Sequence, residues 1–370
     1  MHDLVCGIVH WNVPELLAEC LGTLRGEVEA LRRRGLRVEV RVLDNASRPE
    51  VRERLAATSP AEVVWLWSAE NLGYPRAANA LYDAARAPLV LVSNPDVLYL
   101  EGSLLALYEA MADPTVALAG PATWWDRERR LRINPGFPEN PERIAADAAA
   151  QRAGAWPDHA LDWQRRMAAA AYAPRACPVP LLPGHAILVR KSLIDAVGGL
   201  FDPGTFLYYD DTDLCERLRA QRGAQILYVP AAEVVHLFNQ SRRGDVDVHM
   251  GSARRHYLTK HYGAAEAERI LEVAASSVPG ESAFAAWRLQ DLGPTANPPE
   301  LAWPAPAGGR SLFALGINPQ IVPAALAHSA APRFALAARF WDQLTPGPYY
   351  ARATDADSRR VLGYWKFERR

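Results

Sequence analysis

Three carboxylates fall within four residues at Asp210-Asp211-Thr212-Asp213, between an aromatic run (Phe206 to Tyr209) and a helical pattern carried by Leu214 and Leu218. One carboxylate is enough to cap a helix, because it accepts from backbone N–H groups that lack an intrahelical partner. Three are more than a cap needs. Crowded carboxylates repel, so at least one should keep its proton to a raised pH, which suits a group that must deprotonate a hydroxyl. A well-capped helix and a general base are both open readings of this stretch, and the elements that position it have to decide.

Those elements read clearly in the N-terminal part. Asp3 to Val9 has the composition of a buried strand, and Pro14 opens an amphipathic helix through Leu17, Cys20, Leu24 and Leu31. Strands are expected at Val38–Leu43, Val63–Trp67 and Leu89–Val92, with helices at Pro49–Ala57 and Pro75–Ala85 between them. Strands that alternate with helices and are apolar on both faces predict a parallel α/β sheet. Ligands bind such sheets at the carboxyl ends of the strands. Polar residues stand at those ends: Asn12, Asp44-Asn45, Asn71, and Asn94 with Asp96. Any one of them is a common turn residue; the series predicts a shared cleft.

Composition narrows the classes. With 370 residues the chain is long enough for two domains, or for one large domain with an appendage. A net charge of -1 gives no steering toward nucleic acid. Cys6, Cys20, Cys177 and Cys215 lack metal-ligand spacing and read as free thiols. No apolar run approaches the roughly 18 residues of a membrane span. The expectation is a cytoplasmic soluble protein.

Taken in order, Val42-Leu43-Asp44-Asn45-Ala46-Ser47, Asn71-Leu72-Gly73-Tyr74 with Asn79, and Ser93-Asn94-Pro95-Asp96 resemble the family 2 glycosyltransferases, most closely the rhamnosyltransferase-like branch. The series continues with Gly184 to Lys191, Val197 to Asp202, the acidic stretch, and Val234-Val235-His236. The resemblance covers about residues 4–260. It implies a GT-A fold, a Rossmann-like and mostly parallel central sheet flanked by helices, in a domain of residues 1–265. Residues 121–180 read as a variable, acceptor-side insert, and 266–370 as a C-terminal extension of helices, a Pro/Gly-rich linker and an aromatic tail.

The resemblance also implies roles. Asp44 would accept the N3–H of uracil or thymine, so the donor is a UDP- or dTDP-sugar, although guanine also offers a ring N–H. Asn12, Asn45, Asn71, Gly73 and Asn94 would line the nucleotide side. A leaving diphosphate calls for a hard divalent cation: Asp96, in this branch's version of an Asp-x-Asp motif, and His236 would hold Mn²⁺ or Mg²⁺. Asp211 matches the general base, with Asp210 where Glu is usual, which leaves open which of the two faces the acceptor. One base and no carboxylate nucleophile imply inversion. Arg242 or Arg243 could hold the diphosphate, or form a solvated basic turn. Trp124 suits a sugar face on the acceptor side, or plain packing. The acceptor would be a glycan, a lipid-linked sugar or a natural product. The aromatic tail, with a helix expected over Pro332–Leu344, suits docking onto the main domain or onto a second protomer in a homodimer. A glycosidase would also pair carboxylates but leaves the nucleotide-side motifs unexplained, and a nucleotidyltransferase would need a Gly-rich phosphate loop that His10 to Pro14 lacks. The alternative is a degenerate nucleotide- or carbohydrate-binding protein, with Asn94 and Asp210 marking lost function; intact Asp96, Asp211 and His236 argue against it.

Overall fold

Strand and helix alternate along the N-terminal part of the chain in the expected order: β1 (Leu4–His10), α1 (Pro14–Arg33), β2 (Val38–Asp44), α2 (Pro49–Thr58), β3 (Val63–Trp67), α3 (Tyr74–Ala84) and β4 (Leu89–Ser93). The structure, a computed structural model, describes residues 2–58, 60–237 and 246–370. Contacts group the chain into two units. The first holds Met1–Thr123, Pro135–Pro138 and Ala173–Glu268; the second holds Trp124–Asn134, Glu139–Tyr172 and Arg269–Arg370.

In the first unit β3, β2, β1 and β4 pair in parallel in that order. The strand Ala186–Arg190 then adds antiparallel to β4 and also pairs antiparallel with β6 (Val116–Trp124), which follows β5 (Val97–Tyr99) and α4 (Ser103–Ala110). Successive side chains of a strand point to opposite faces, and β1 uses both. Leu4, Cys6 and Ile8 pack with Leu17, Cys20, Leu24, Val28 and Leu31 of α1, whereas Val5 and Val9 pack with Ala77, Ala78 and Leu81 of α3. Burying each such Leu or Val is worth roughly 1.5–3 kcal/mol before chain entropy is counted. This double coverage is why the strands read as continuous apolar runs. It also leaves only the strand ends free to present polar groups.

The second unit is built largely on strands, in stretches that read from the sequence as a linker and an aromatic tail. Gln290–Thr295, Val361–Arg369, Gly347–Asp355, Ser311–Gly316, Ala325–Ser329 and Arg132–Ile133 hydrogen-bond in that order. The helix expected over Pro332–Leu344 is instead a short strand, Arg333–Ala335, followed by the helix Ala338–Gln343. Arg333–Ala335 pairs with Glu300–Ala302, inside the Pro/Gly-rich stretch. The alternation of Phe334 and Leu336, both buried, with exposed Arg333 and Ala335 is a strand period, and it overrides the helical preference of the alanines. Trp303, Phe313, Trp341, Tyr349, Trp365 and Phe367 form the core of this unit. Its other strand face carries Arg352, fully buried, with Nε on Gln164 Oε1 at 2.8 Å and its guanidinium 4.4 Å from the Trp287 ring. The helices Pro141–Ala153 and Trp156–Ala171 belong to this unit as well.

Gly73 sets the entry of α3. Its φ is +75°, and a Cβ there would lie 2.5 Å from the Phe206 carbonyl oxygen, which already accepts the Tyr74 N–H at 2.9 Å. Only glycine fits without strain. Gly73→Ala is therefore expected to lower stability by about 2 kcal/mol or more, read as a lower urea midpoint with an unchanged slope.

Candidate active site

The polar strand ends form a connected network in the first unit. His10 and Asp44 are register partners at the ends of β1 and β2, and both side chains are fully buried. Val13 N–H donates to His10 Nε2 at 3.1 Å, so the ring proton sits on Nδ1 and is donated to Asp44 Oδ1 at 3.0 Å. Asp44 Oδ2 accepts from Arg52 Nε at 2.6 Å and from the Ser47 N–H at 3.1 Å. Burial alone would raise the Asp44 pKa, but the bonds from His10, Ser47 and Arg52 outweigh it and bring the carboxyl down to about 2. Asn12, at φ +56°, donates its N–H to the Ser47 hydroxyl oxygen and accepts the Arg48 N–H on its Oδ1. Asn45 Nδ2 donates to Asn71 Oδ1 at 2.9 Å and to the Gly73 carbonyl at 3.3 Å. Asn71 Oδ1 also accepts the Gly73 N–H. Five of the sequence-predicted residues thus share one surface at the carboxyl ends of the parallel strands.

Asp96 and His236 come together although they are far apart in sequence. His236 ends the strand Gln225–His236, whose last residues pair antiparallel with β5, just after Asp96. His236 Nε2 lies 3.2 Å from Asp96 Oδ1, with side-chain exposures of 7% and 5%. The ring stacks on His185 at 4.4 Å, and the His185 carbonyl accepts the Asn94 N–H at 2.8 Å. Burial, then the His236 charge, push His185 far below its usual range, so it is neutral and pairs with the Thr123 hydroxyl at 2.8 Å. One carboxylate oxygen and one imidazole nitrogen suit a divalent cation whose other ligands are diphosphate oxygens and water. Among the described residues no group of three or more His, Cys, Asp or Glu side chains could hold a metal by itself.

The acidic stretch begins the helix Asp210–Ala220, with Tyr209 rather than Asp210 as its N-cap. Tyr208 and Tyr209 both have positive φ, +75° and +60°, a sparsely populated backbone region for bulky residues. The three acids part company here. Asp213 accepts from Arg217 at 2.8 Å, His261 at 2.8 Å and Lys260 at 2.6 Å; despite burial these bonds hold it far below the usual range, and it anchors the helix. Asp211 is held by the Gly184 N–H at 3.0 Å on Oδ2 and the Thr212 N–H at 2.6 Å on Oδ1. Asp210 is buried beside it, and a Cβ on Gly184 would lie 3.4 Å from its Oδ2. Burial first, then the Asp211 charge, push Asp210 up to about 8; burial raises Asp211 also. Such a pair shares a proton at neutral pH. The Tyr74 hydroxyl donates to the Gly184 carbonyl at 3.2 Å. Burial, then the charges of Asp210, Asp211 and Asp96, drive this phenol far above its usual range, so it stays protonated.

Two sequence-predicted residues stand apart from this set. Trp124 belongs to the second unit, where the Arg132 guanidinium lies 4.2 Å from its ring. Arg242, like Ser241 and Arg243, lies outside the described residues. Conversely, His10, Arg52, Tyr74, Gly184 and Arg217 were given no role by sequence reasoning. Arg217 ties the acidic helix to the carbonyls of Val197, Gly199 and Leu200 at 2.9, 2.8 and 2.6 Å. A signal existed for His10 alone, since it ends β1 where Asp44 ends β2.

A family model described as Glycosyl transferase family 2 matches residues 6–198. An N-acetylglucosaminyl-diphospho-decaprenol L-rhamnosyltransferase of Mycobacterium tuberculosis is 31% identical over 227 residues, 58% of this chain and 71% of the relative. Among solved structures, GalNAc-T7 with UDP, GalNAc and Mn2+ aligns with a TM-score of 0.47 at 11% identity, over 74% of this chain and 48% of that one. This chain thus spans about half of that protein. The mannosyltransferase PcManGT of Pyrobaculum calidifontis, in complex with GDP-Man and Mn2+, aligns with a TM-score of 0.43 at 17% identity, over 77% of each chain.

The carboxylate pair makes a pH prediction. A buried acid with a raised native pKa binds its proton more tightly folded than unfolded. Its contribution is therefore intact below the unfolded pKa near 3.8 and is lost as pH rises toward about 8. Asp210→Asn, which mimics the protonated acid, should equal wild type in stability near pH 3, where both states of the acid are protonated, and exceed it at pH 9. Urea unfolding at the two pH values measures this.

Proposed function

Because the chain belongs to glycosyl transferase family 2 and is a glycosyltransferase that uses a nucleotide sugar, we propose that it transfers the sugar of a UDP- or dTDP-sugar to an acceptor hydroxyl with inversion, Asp211 acting as base. The observation that carries this reading is the Gly184-His185 segment: the Gly184 N–H holds Asp211, and the His185 ring stacks on His236, which is paired to Asp96. A donor diphosphate and an acceptor hydroxyl need these two kinds of group within one site.

The division of labour follows from the environments. Asp211 is oriented by the Gly184 and Thr212 N–H groups and by the Thr212 hydroxyl and keeps a lone pair for one further donor, so it takes the acceptor proton as the glycosidic bond breaks. Asp210, protonated beside it, avoids a second negative charge near the incoming hydroxyl and leaves Asp211 as the basic member of the pair. Asn12, Asp44, Asn45, Asn71, Gly73 and Asn94 line the donor side. Asp96 and His236 are the residues that hold Mn²⁺ or Mg²⁺. When bound, such a cation would neutralise charge developing on the leaving diphosphate. A single displacement by an oriented hydroxyl inverts the anomeric centre, and no second carboxylate is needed as nucleophile.

For the acceptor, the M. tuberculosis relative acts, by its description, on a lipid-linked diphospho-sugar, which makes a polyprenyl diphosphate glycan the first class to try, as in cell-wall or polysaccharide assembly. Among the described residues no helix is long and apolar enough to cross a membrane. We assign the reaction to the cytoplasm, where nucleotide sugars are made and where the four free cysteines would stay reduced.

Asp211→Asn tests the reading. Turnover of a UDP- or dTDP-sugar should fall on the order of 10²–10⁴-fold, the usual worth of a general base, while nucleotide diphosphate binding stays within about twofold. A variant that turns over at the wild-type rate removes Asp211 from the base role.

A further inference from the structure

Resting on the reading of the chain as a transferase for pyrimidine nucleotide sugars, we propose that Arg52 is the side chain that meets the donor's base, and that Asp44 acts through it as a positioning residue. The first argument is access. The Asp44 side chain has no exposed surface, and both of its oxygens are engaged, by His10, Ser47 and Arg52. A base N–H has no free approach to it. Arg52 covers Asp44 and keeps 30% of its own side chain exposed.

The second argument is preorganisation. An exposed arginine on a helix normally samples many rotamers, and a surface ion pair alone stabilises little. Arg52 is fixed three ways: Nε donates to Asp44 at 2.6 Å, Nη2 donates to the Ser68 carbonyl, and the guanidinium lies 5.3 Å from the Trp67 ring centroid. Trp67 is itself stacked on Trp65, with centroids 4.8 Å apart and planes 14° apart. At 44% exposure, part of the Trp67 ring is open at that surface. The effect of the three contacts is to hold one guanidinium plane at the carboxyl ends of β2 and β3, beside the Asn45–Asn71–Gly73 network.

The third argument is chemical. A guanidinium has five N–H donors and no acceptor. Two are committed, to Asp44 and Ser68, and the rest suit the O2 and O4 carbonyls of uracil or thymine, while the flat cation also stacks on a base. Asp44 keeps its negative charge at all physiological pH values and so keeps Arg52 in place. The arrangement reads a carbonyl-bearing base with a positioned arginine.

Calorimetric titration with UDP and with inorganic pyrophosphate, both with Mn²⁺, tests this on wild type, Arg52→Met, Arg52→Lys and Asp44→Asn, with thermal melts to establish folding. Arg52→Met should weaken UDP by tenfold or more and leave pyrophosphate unchanged. Arg52→Lys, which keeps the charge without the planar fork, should recover only part of the loss, and Asp44→Asn should weaken UDP by a smaller factor than Arg52→Met. Wild-type UDP affinity in Arg52→Met overturns the proposal and leaves the transferase reading intact. So does an equal loss of UDP and pyrophosphate, which marks a purely structural role. Failure of wild type to bind either UDP or dTDP overturns the donor reading itself, and the role of Arg52 with it.

Discussion

The hydrogen bond from the Gly184 N–H to Asp211 fixes the carboxylate on which the proposed chemistry depends. It joins the start of the acidic helix to the segment that leads into the strand Ala186–Arg190, next to β4 in the sheet. Everything nearby serves that contact. Gly184 has no Cβ to crowd Asp210 or Asp211, Tyr74 holds its carbonyl, and Asp213 with Arg217 secures the same helix from its other side. Two successive tyrosines in the left-handed region deliver the chain to the helix start. Backbone strain of this kind persists only where the surroundings over-determine it.

The chain illustrates how one residue type takes several roles by environment alone. Asp44 and Asp213 are buried but surrounded by donors, so both stay ionised and act as anchors. Asp210 is buried with an anion as neighbour, so it keeps its proton to about 8. Asp211, partly buried and bonded to two N–H groups and the Thr212 hydroxyl, is raised by burial against the pull of those bonds. Pairs of acids whose environments push them apart mark an acid–base site better than any motif does.

Much of this was legible in the sequence, and the limits have physical causes. β1 to β4 were readable because burial on both faces makes strands continuous apolar runs, and their polar ends stand out against such runs. Asp96 and His236 could be paired only through the family resemblance, because nothing local in a sequence reports a contact between distant strands. Arg52 was invisible: it lies in an ordinary surface helix, and only the structure brings it onto Asp44 and Trp67. The second unit was misread in part. In Tyr349 to Asp355 the small or apolar Tyr349, Ala351 and Ala353 alternate with Tyr350, Arg352 and Thr354, a strand pattern, yet the buried Arg352 disguises a two-sided strand as an amphipathic one. The aromatic residues taken there as a docking tail are that unit's own core.

On the proposed function, the first unit binds a pyrimidine nucleotide diphosphate with a divalent cation held by Asp96 and His236. Calorimetric titration of the wild-type chain with UDP, dTDP and GDP, each with and without Mn²⁺, tests it most directly. One of the pyrimidine diphosphates should bind best, and Mn²⁺ should tighten it by at least about tenfold, a difference of about 1.4 kcal/mol. Equal affinity with and without the metal would contradict the Asp96–His236 assignment, and binding of none of the three would contradict the donor assignment as a whole.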